Sequence, residues 1–386
     1  MWNKTNNIDI MNYLYKVARL PKKIAYWGFL TFVIKPQAFL RLVKNKELFC
    51  HPSYFPEYKE MKKSTSRIFW EQCSNIAKYG NPEFFYFPYG LDVKSKEDCN
   101  SYLNYEPFYN KRESLNFSNK VNCACILRDK ILFNIFANGI GIATPENEFY
   151  TINGQIFDFK TKKQLTVDEL CQNDHELFCK LVDGECGNGV FQLHIQQGKV
   201  LINGNLSTRE ELEKRFGQGR YIAQTVIKQH SLMSQLHSQS INSMRLITVR
   251  SLKDKAIHVF PSILRIGTGN SIVDNTSQGG LAVGVDLQTG RLKQYGFYKP
   301  QFGLKVDIHP DSEIKFDQFV IPHFEEAVKQ AVYFHSMLPD LHSVGWDIAI
   351  GENGPIFIEG NDNWEINGPQ ICNGGLIKEF NKLFYK

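Results

Sequence analysis

The stretch VGWDIAIGENGPIFIEGN, from Val344 to Asn361, constrains the fold more than any other part of the chain. Two apolar runs, WDIAI and PIFIEGN, flank a Gly-Glu-Asn-Gly turn, and runs joined in this way predict a β-hairpin. The first run carries Asp347; the second ends in Glu359 and Asn361. Side chains two residues apart on a strand share a face, so Glu359 and Asn361 point the same way. Three oxygen-bearing side chains then converge at one end of a sheet. Such a set suits a hard divalent cation, and Mg²⁺ completes its octahedron with phosphate oxygens and water. The same pattern also suits a hairpin whose polar ends are solvated.

Other segments place chemistry-bearing residues on predicted elements. CACILRDKILFNIFANGIGIATPE holds Lys130 and predicts an amphipathic helix, with Leu127, Ile131, Leu132 and Ile135 at helical spacing. FYTINGQIFDF reads as strands, and Thr166 to Glu169 as the capping box of a short helix. In LFCKLVDGECGNGVFQLHI a strand bearing Lys180 runs into a loop with Gly184, Gly187, Asn188 and Gly189, and a second strand follows. Glycines let a loop approach phosphates with its backbone N–H groups as donors, although an ordinary hairpin turn has a similar composition. GxxxxGK[ST] is absent, so this is not a P-loop. LSTREELEKRF predicts a helix capped by Ser207, and RYIAQTVIKQH a strand. SINSMRLITVR carries Asn242 and Arg245, and the next strand carries Arg265. A guanidinium fork suits phosphate, a substrate carboxylate or a structural ion pair. Residues 316–340 predict an amphipathic helix on which His323 and His335, without partners at metal spacing, read as structural.

Taken in order, these features resemble the ATP-grasp superfamily. GWDIAI…GPIFIEGN and the Ser-Ile-Asn-x-x-Arg of SINSMR are similar to its sugar-transfer-associated branch, whose proteins are described as resembling α-L-glutamate ligases. The resemblance covers roughly residues 120–375. It implies an α+β ATP-grasp fold at 116–386, with a smaller nucleotide-clamping lobe at about 145–225 and a larger metal- and substrate-binding lobe at about 226–386. Residues 1–115 are then a mostly helical, basic and aromatic region. The resemblance implies that Asp347, Glu359 and Asn361 hold two Mg²⁺ ions against ATP. Lys130 and Lys180 would contact its phosphates, and Gly184 to Gly189 would close over them. Gln224, Thr225, Val226 and Ile227 match the hinge that holds adenine, with Gln224 where the family has Glu, and His230 reaches toward the ribose. Arg245 and Arg265 are the candidate catalytic residues. Asn242 and the polar loop residues Asn275, Ser277, Gln278, Gly279 and Gly280 are the candidate acceptor-binding set.

The chemistry so implied joins a carboxylate (an amino acid or a uronic acid) to an amine at the expense of ATP, in the assembly or decoration of a surface polysaccharide. Two rivals stand beside it: a kinase on the same scaffold, and a non-catalytic nucleotide- or glycan-binding module. The mark of the latter is a missing metal ligand, and all three are present here.

The 386 residues carry a mild net charge of +5, unevenly spread. Between Lys16 and Arg67 twelve Lys/Arg face three Asp/Glu, a net of +9, so the rest of the chain sums to −4. That basic segment interleaves with Tyr26, Trp27, Phe29, Phe32 and Phe39. It suits a helical cap with a solvated basic face, or peripheral contact with an anionic membrane or a polyanionic polysaccharide. No nucleic-acid-binding motif accompanies the charge. The nine cysteines lack CxxC spacing and are odd in number, which predicts a reducing, cytoplasmic setting; Cys123 and Cys125 read as core thiols. No signal peptide is visible, and the apolar run Ala25–Ile34 is about half of what a helical span needs.

Overall fold

Alternating apolar and polar residues resolve into two sheets in the computed structural model, which describes residues 30–117, 123–184, 189–299 and 301–386. The first sheet has strands Asn147–Ile152 (β1), Gln155–Asp158 (β2), Gln164–Leu165 (β3), His175–Leu181 (β4), Phe191–Gln196 (β5), Lys199–Ile202 (β6), Asn205–Ser207 (β7) and Tyr221–Thr225 (β8). Their order is β3-β2-β1-β8-β4-β5-β6-β7. The second has Met244–Arg250 (β9), Ile257–Ile266 (β10), Leu281–Val285 (β11), Leu292–Phe297 (β12), Lys305–Val306 (β13), Ser343–Gly351 (β14) and Gly354–Asn361 (β15), in the order β13-β12-β11-β10-β9-β14-β15. Every pairing is antiparallel. With helices set apart from antiparallel strands, the fold is α+β. The chain divides into two units, residues 1–111 with 374–378 and residues 112–373 with 379–386, and both sheets belong to the second.

In the first sheet Leu177, Cys179, Phe191, Leu193 and Ile195 alternate into one core with Phe149, Leu212, Phe216 and Ala223. In the second, β14 lies between β9 and β15 and is buried along its whole length. Trp346 stacks on Phe334 of the Phe324–Ser336 helix at 4.6 Å, and its Nε1 donates to Thr248 Oγ1 at 2.8 Å. A Cβ on Gly345 would stand 2.7 Å from the Trp364 Cβ, so only glycine fits where Trp364 crosses the strand.

The predicted hairpin is β14–β15, turning through Gly351–Gly354. The Thr166/Glu169 capping box is present, with Glu169 N donating to Thr166 Oγ1 at 3.1 Å and Thr166 N to Glu169 Oε2 at 2.7 Å. Other expectations need correction. The helix predicted across Lys130 is two helices, Ala124–Arg128 and Lys130–Gly139, split where Asp129 Oδ1 accepts from the N–H groups of Ile131 and Leu132. That break resets the phase: Phe133 and Ala137 are buried, while Leu132 and Ile135 are exposed. Thr208, not Ser207, caps the next helix, because its Oγ1 accepts from Glu211 N. The long helix predicted over 316–340 is only Phe324–Ser336; Pro322 and the left-handed His323 (φ 52°) precede it. Cys123 is half-buried and packs against the core, whereas Cys125 is exposed and is not a core thiol.

The first unit is helical where described. The Thr65–Tyr79 helix starts at Ser64, whose Oγ accepts from Arg67 N, and stops at Gly80, φ 87°. Its Gln72 is buried and clamps the aromatic stretch that follows: Nε2 donates to Leu48 O and Glu83 O at 2.8 and 2.9 Å, and Oε1 accepts from Glu83 N at 2.8 Å. Tyr86, Phe87, Tyr89 and Leu91 are buried behind it. Tyr26, Trp27 and Phe29 lie outside the described residues. Among the described residues no helix is long and apolar enough to cross a membrane.

Candidate active site

Three adjacent strands set a row of charges. Asp347 on β14 lies opposite Arg245 on β9 and opposite Glu359 on β15. The register shifts immediately after Asp347, where Ile348 pairs with Phe357, and a bulge of this kind re-aims the side chains beside it. Arg245 grips Asp347 with both Nε and Nη2, the latter at 2.9 Å from Oδ2. Arg265 on β10 adds a third contact, Nη2 to Asp347 Oδ2 at 2.9 Å. Arg265 also donates to Ser243 Oγ at 2.8 and 3.2 Å. Ser243 in turn donates from its N–H (2.8 Å) and its hydroxyl to Asp274 Oδ2.

Burial alone would raise the Asp347 carboxyl, but the two guanidiniums outweigh it and hold the group well below the usual carboxylate range. Glu359 behaves in the opposite way. Burial and the negative charge of Asp347 push it above its ordinary value, and Lys130 and Arg245 offset only part of this. Lys130 stands 4.0 Å from Glu359 Oε2, and its ammonium donates to Gly184 O at 2.7 Å. The start of its helix is thereby tied to the loop after β4. Lys180, on β4, has no carboxylate within ion-pair distance among the described residues. Burial draws its pKa down to about 8, with Glu359 pulling it up and Lys130 down.

Lys180 also lines a cavity of about 380 Å³, together with Phe178, residues 224–229, residues 272–274 and Ile358. Thr225, Val226 and Ile227 therefore sit on the wall. The Gln224 side chain is buried: its Nε2 donates to Asn147 Oδ1 (2.9 Å) and Asn134 Oδ1 (3.3 Å). His230 is not on the wall. Its Nδ1 accepts from Leu232 N at 3.0 Å as a helix cap, and its Nε2 is 3.6 Å from Glu352 in the hairpin turn.

Asn242 is fully buried, with Nδ2 donating to Gln229 Oε1, Met233 O and His237 O, and Oδ1 accepting from Gly267 N. Its amide braces the loops on either side. Asn275 Oδ1 accepts from Ser277 N, and Ser277 and Gln278 are exposed. Neither they nor Gly279 and Gly280 line the cavity; the preceding residues 272–274 do. Gly184 and Gly189 are described, whereas Gly187 and Asn188 lie outside the described residues. Asp274 and Ser243 escaped the sequence reading. Their signal was slight: an acidic residue beside Asn275, and a serine two before Arg245.

The donor set fits a hard divalent cation. Two carboxylates meet across one strand pair, Asn361 is two residues along the same face, and no guanidinium neutralises Glu359 as Arg245 and Arg265 neutralise Asp347. Asn361 Nδ2 lies 3.4 Å from Glu359 Oε1 and from Gly345 O.

The family model described as "Sugar-transfer associated ATP-grasp" matches residues 104–383. No curated protein shows significant similarity. Among solved structures, the chain is similar to an L-amino acid ligase from Bacillus licheniformis at 13% identity and a TM-score of 0.34, over 64% of this chain and 42% of that one. It is similar to D-alanine–D-alanine ligase from Bacillus anthracis complexed with ATP at 14% identity and 0.33, over 62% and 56%. An N5-carboxyaminoimidazole synthetase from Staphylococcus aureus complexed with ADP gives 9% and 0.32, over 61% and 44%. The chain spans about half the length of these structures. With the family match covering well over half of the sequence, the chain belongs to the sugar-transfer associated ATP-grasp family.

Proposed function

We propose that the protein is an ATP-dependent carboxylate–amine ligase acting in the cytoplasm on a building block or acceptor of a surface polysaccharide. The observation that carries this reading is Lys180, an ammonium with no carboxylate partner among the described residues, on a cavity wall beside the Asp347–Glu359 pair. Family membership supports the reading, and the words "sugar-transfer associated" support a glycan acceptor.

In this reading the walls at Thr225–Ile227 hold the adenine end of ATP, and Lys180 and Lys130 meet its phosphates. Asp347, Glu359 and Asn361 hold Mg²⁺, which when bound disperses negative charge on the transferring phosphoryl group. A substrate carboxylate oxygen attacks the γ-phosphorus, the bond to the β-phosphate oxygen breaks, and ADP leaves with an acylphosphate formed. The amine nitrogen then attacks the acyl carbon. The bond to phosphate breaks, the nitrogen loses a proton and the amide remains. Arg245 and Arg265 orient the reacting anion, since their forks are pre-set by Asp347. This scheme requires no protein nucleophile.

The test is to incubate the protein with ATP, Mg²⁺, pooled amino acids and acidic sugars, following phosphate release and product mass. Release of phosphate with an amide of the expected mass supports the ligase. A stable phosphorylated acceptor with no free phosphate identifies a kinase instead, and nucleotide binding without turnover a binding module.

A further inference from the structure

The first unit presents a second apolar stripe that its described helices leave exposed. On the Lys35–Lys44 helix, Ala38 and Leu42 are the buried residues. A turn of about 100° per residue puts Pro36, Phe39, Leu40 and Val43 together on a different side. Phe39, Leu40 and Val43 are 44%, 56% and 48% exposed, and Trp70 on the Thr65–Tyr79 helix is 69% exposed. The Phe39 ring meets Phe69 at 6.3 Å and Phe69 meets Trp70 at 5.8 Å, so stripe and indole form one continuous surface.

Its border is basic. Arg41 and Lys44 follow the stripe around the helix, Lys46 comes next, and no acidic residue occurs between 30 and 46. The Arg41 guanidinium lies 4.7 Å over the Phe84 ring, itself 39% exposed. We propose that this surface docks the protein on an anionic lipid membrane, with Leu40, Val43 and Trp70 entering the interface and Arg41, Lys44 and Lys46 facing the headgroups. An apolar stripe beside a cationic one on a single helix is the chemistry an interfacial helix uses. A soluble polyanion needs the charges but not the exposed Leu, Val and Trp. A second copy would bring like charges together. The inference goes beyond the ligase reading and does not depend on it.

The experiment floats the full chain on vesicles of phosphatidylcholine alone, and of phosphatidylcholine with phosphatidylglycerol, across a salt series. Wild type is expected to float with the anionic vesicles at low salt and less as salt rises. The triple substitution Leu40→Asp, Val43→Asp, Trp70→Ser is expected to lower partitioning by about tenfold or more, and Arg41→Glu with Lys44→Glu to lower it and flatten its salt dependence. Unfolding midpoints are read alongside; where the apolar variant melts early, the charge variant, at exposed positions, decides. Wild type left unbound on every vesicle overturns the proposal. So does an apolar variant that floats like wild type while the charge variant does not, which leaves attachment to charge alone and takes the apolar stripe out of it. A wild-type dimer that becomes monomeric in the apolar variant also overturns it, by giving the face to a second copy.

Discussion

The two sheets bring their charges to the candidate site under opposite conditions. The eight-stranded sheet contributes Lys180, which has no carboxylate within ion-pair distance among the described residues. The seven-stranded sheet contributes Arg245 and Arg265, both already bound to Asp347. A largely buried ammonium with no carboxylate beside it among the described residues is costly, and an incoming anion relieves that cost. A paired guanidinium is instead fixed in place before any ligand arrives. The same contrast divides the two carboxylates. Asp347 holds both arginines in place, whereas Glu359 is crowded by Asp347 and makes no ion pair with an arginine among the described residues.

Neutralising the carboxylates one at a time separates their roles most strongly. Glu359→Gln is expected to lower ATP turnover by about a thousandfold or more, since it removes a charge from the proposed Mg²⁺ shell. Without Mg²⁺ it should melt no lower than wild type, because one of two like charges has gone. Asp347→Asn is expected to lose turnover as fully and also to lose about 3 kcal/mol of stability in denaturant unfolding, because it strands two largely buried guanidiniums. Equal melting of the two variants would dissolve the distinction between the carboxylate that holds both arginines and the one that holds neither.

Lys180 sharpens the other side. Lys180→Ala is expected to weaken ATP binding by about ten- to a hundredfold, from a charge-assisted contact worth about 1.5–3 kcal/mol, as calorimetry reads it. The pH dependence has a definite sign. Below its pKa of about 8 the free protein holds Lys180 charged, so ATP affinity is full there and declines as pH rises past that value. Lys180→Arg should remove the decline. Because the folded value lies below the ordinary 10.5, the folded chain binds fewer protons than the unfolded one between the two, and Lys180 adds stability as pH rises through that window.

The sequence made the hairpin legible because both of its strands are apolar runs closed by a Gly-Glu-Asn-Gly turn, and strand periodicity set Glu359 and Asn361 on one face. It also made the order of lysines and arginines legible. It did not show that Asp347 holds both arginines, since pairing across β9, β10 and β14 depends on a register that spacing within one strand does not encode. Nor did it show that Asn242, a polar residue in a motif, is fully buried with its amide engaged. Asn242→Ala is expected to cost about 2 kcal/mol of stability by stranding a buried amide network, with ATP affinity unchanged. Unchanged stability would return it to the substrate set. Helix phase failed at Asp129 because a cap inside an apolar run restarts the count. The smallest effect tests a one-residue shift of another cap: Thr208→Ala should cost about 1 kcal/mol and Ser207→Ala close to nothing.

The central claim, an activated carboxylate formed beside Lys180 and Glu359, is tested most directly by trapping with hydroxylamine. The protein is supplied with ATP, Mg²⁺ and the acid pool, and hydroxylamine replaces the amine. An acylphosphate yields a hydroxamate in step with ADP, and the account predicts such a hydroxamate from wild type and none from Glu359→Gln. ADP formed without hydroxamate, with phosphate carried on a hydroxyl of the acceptor, would contradict it.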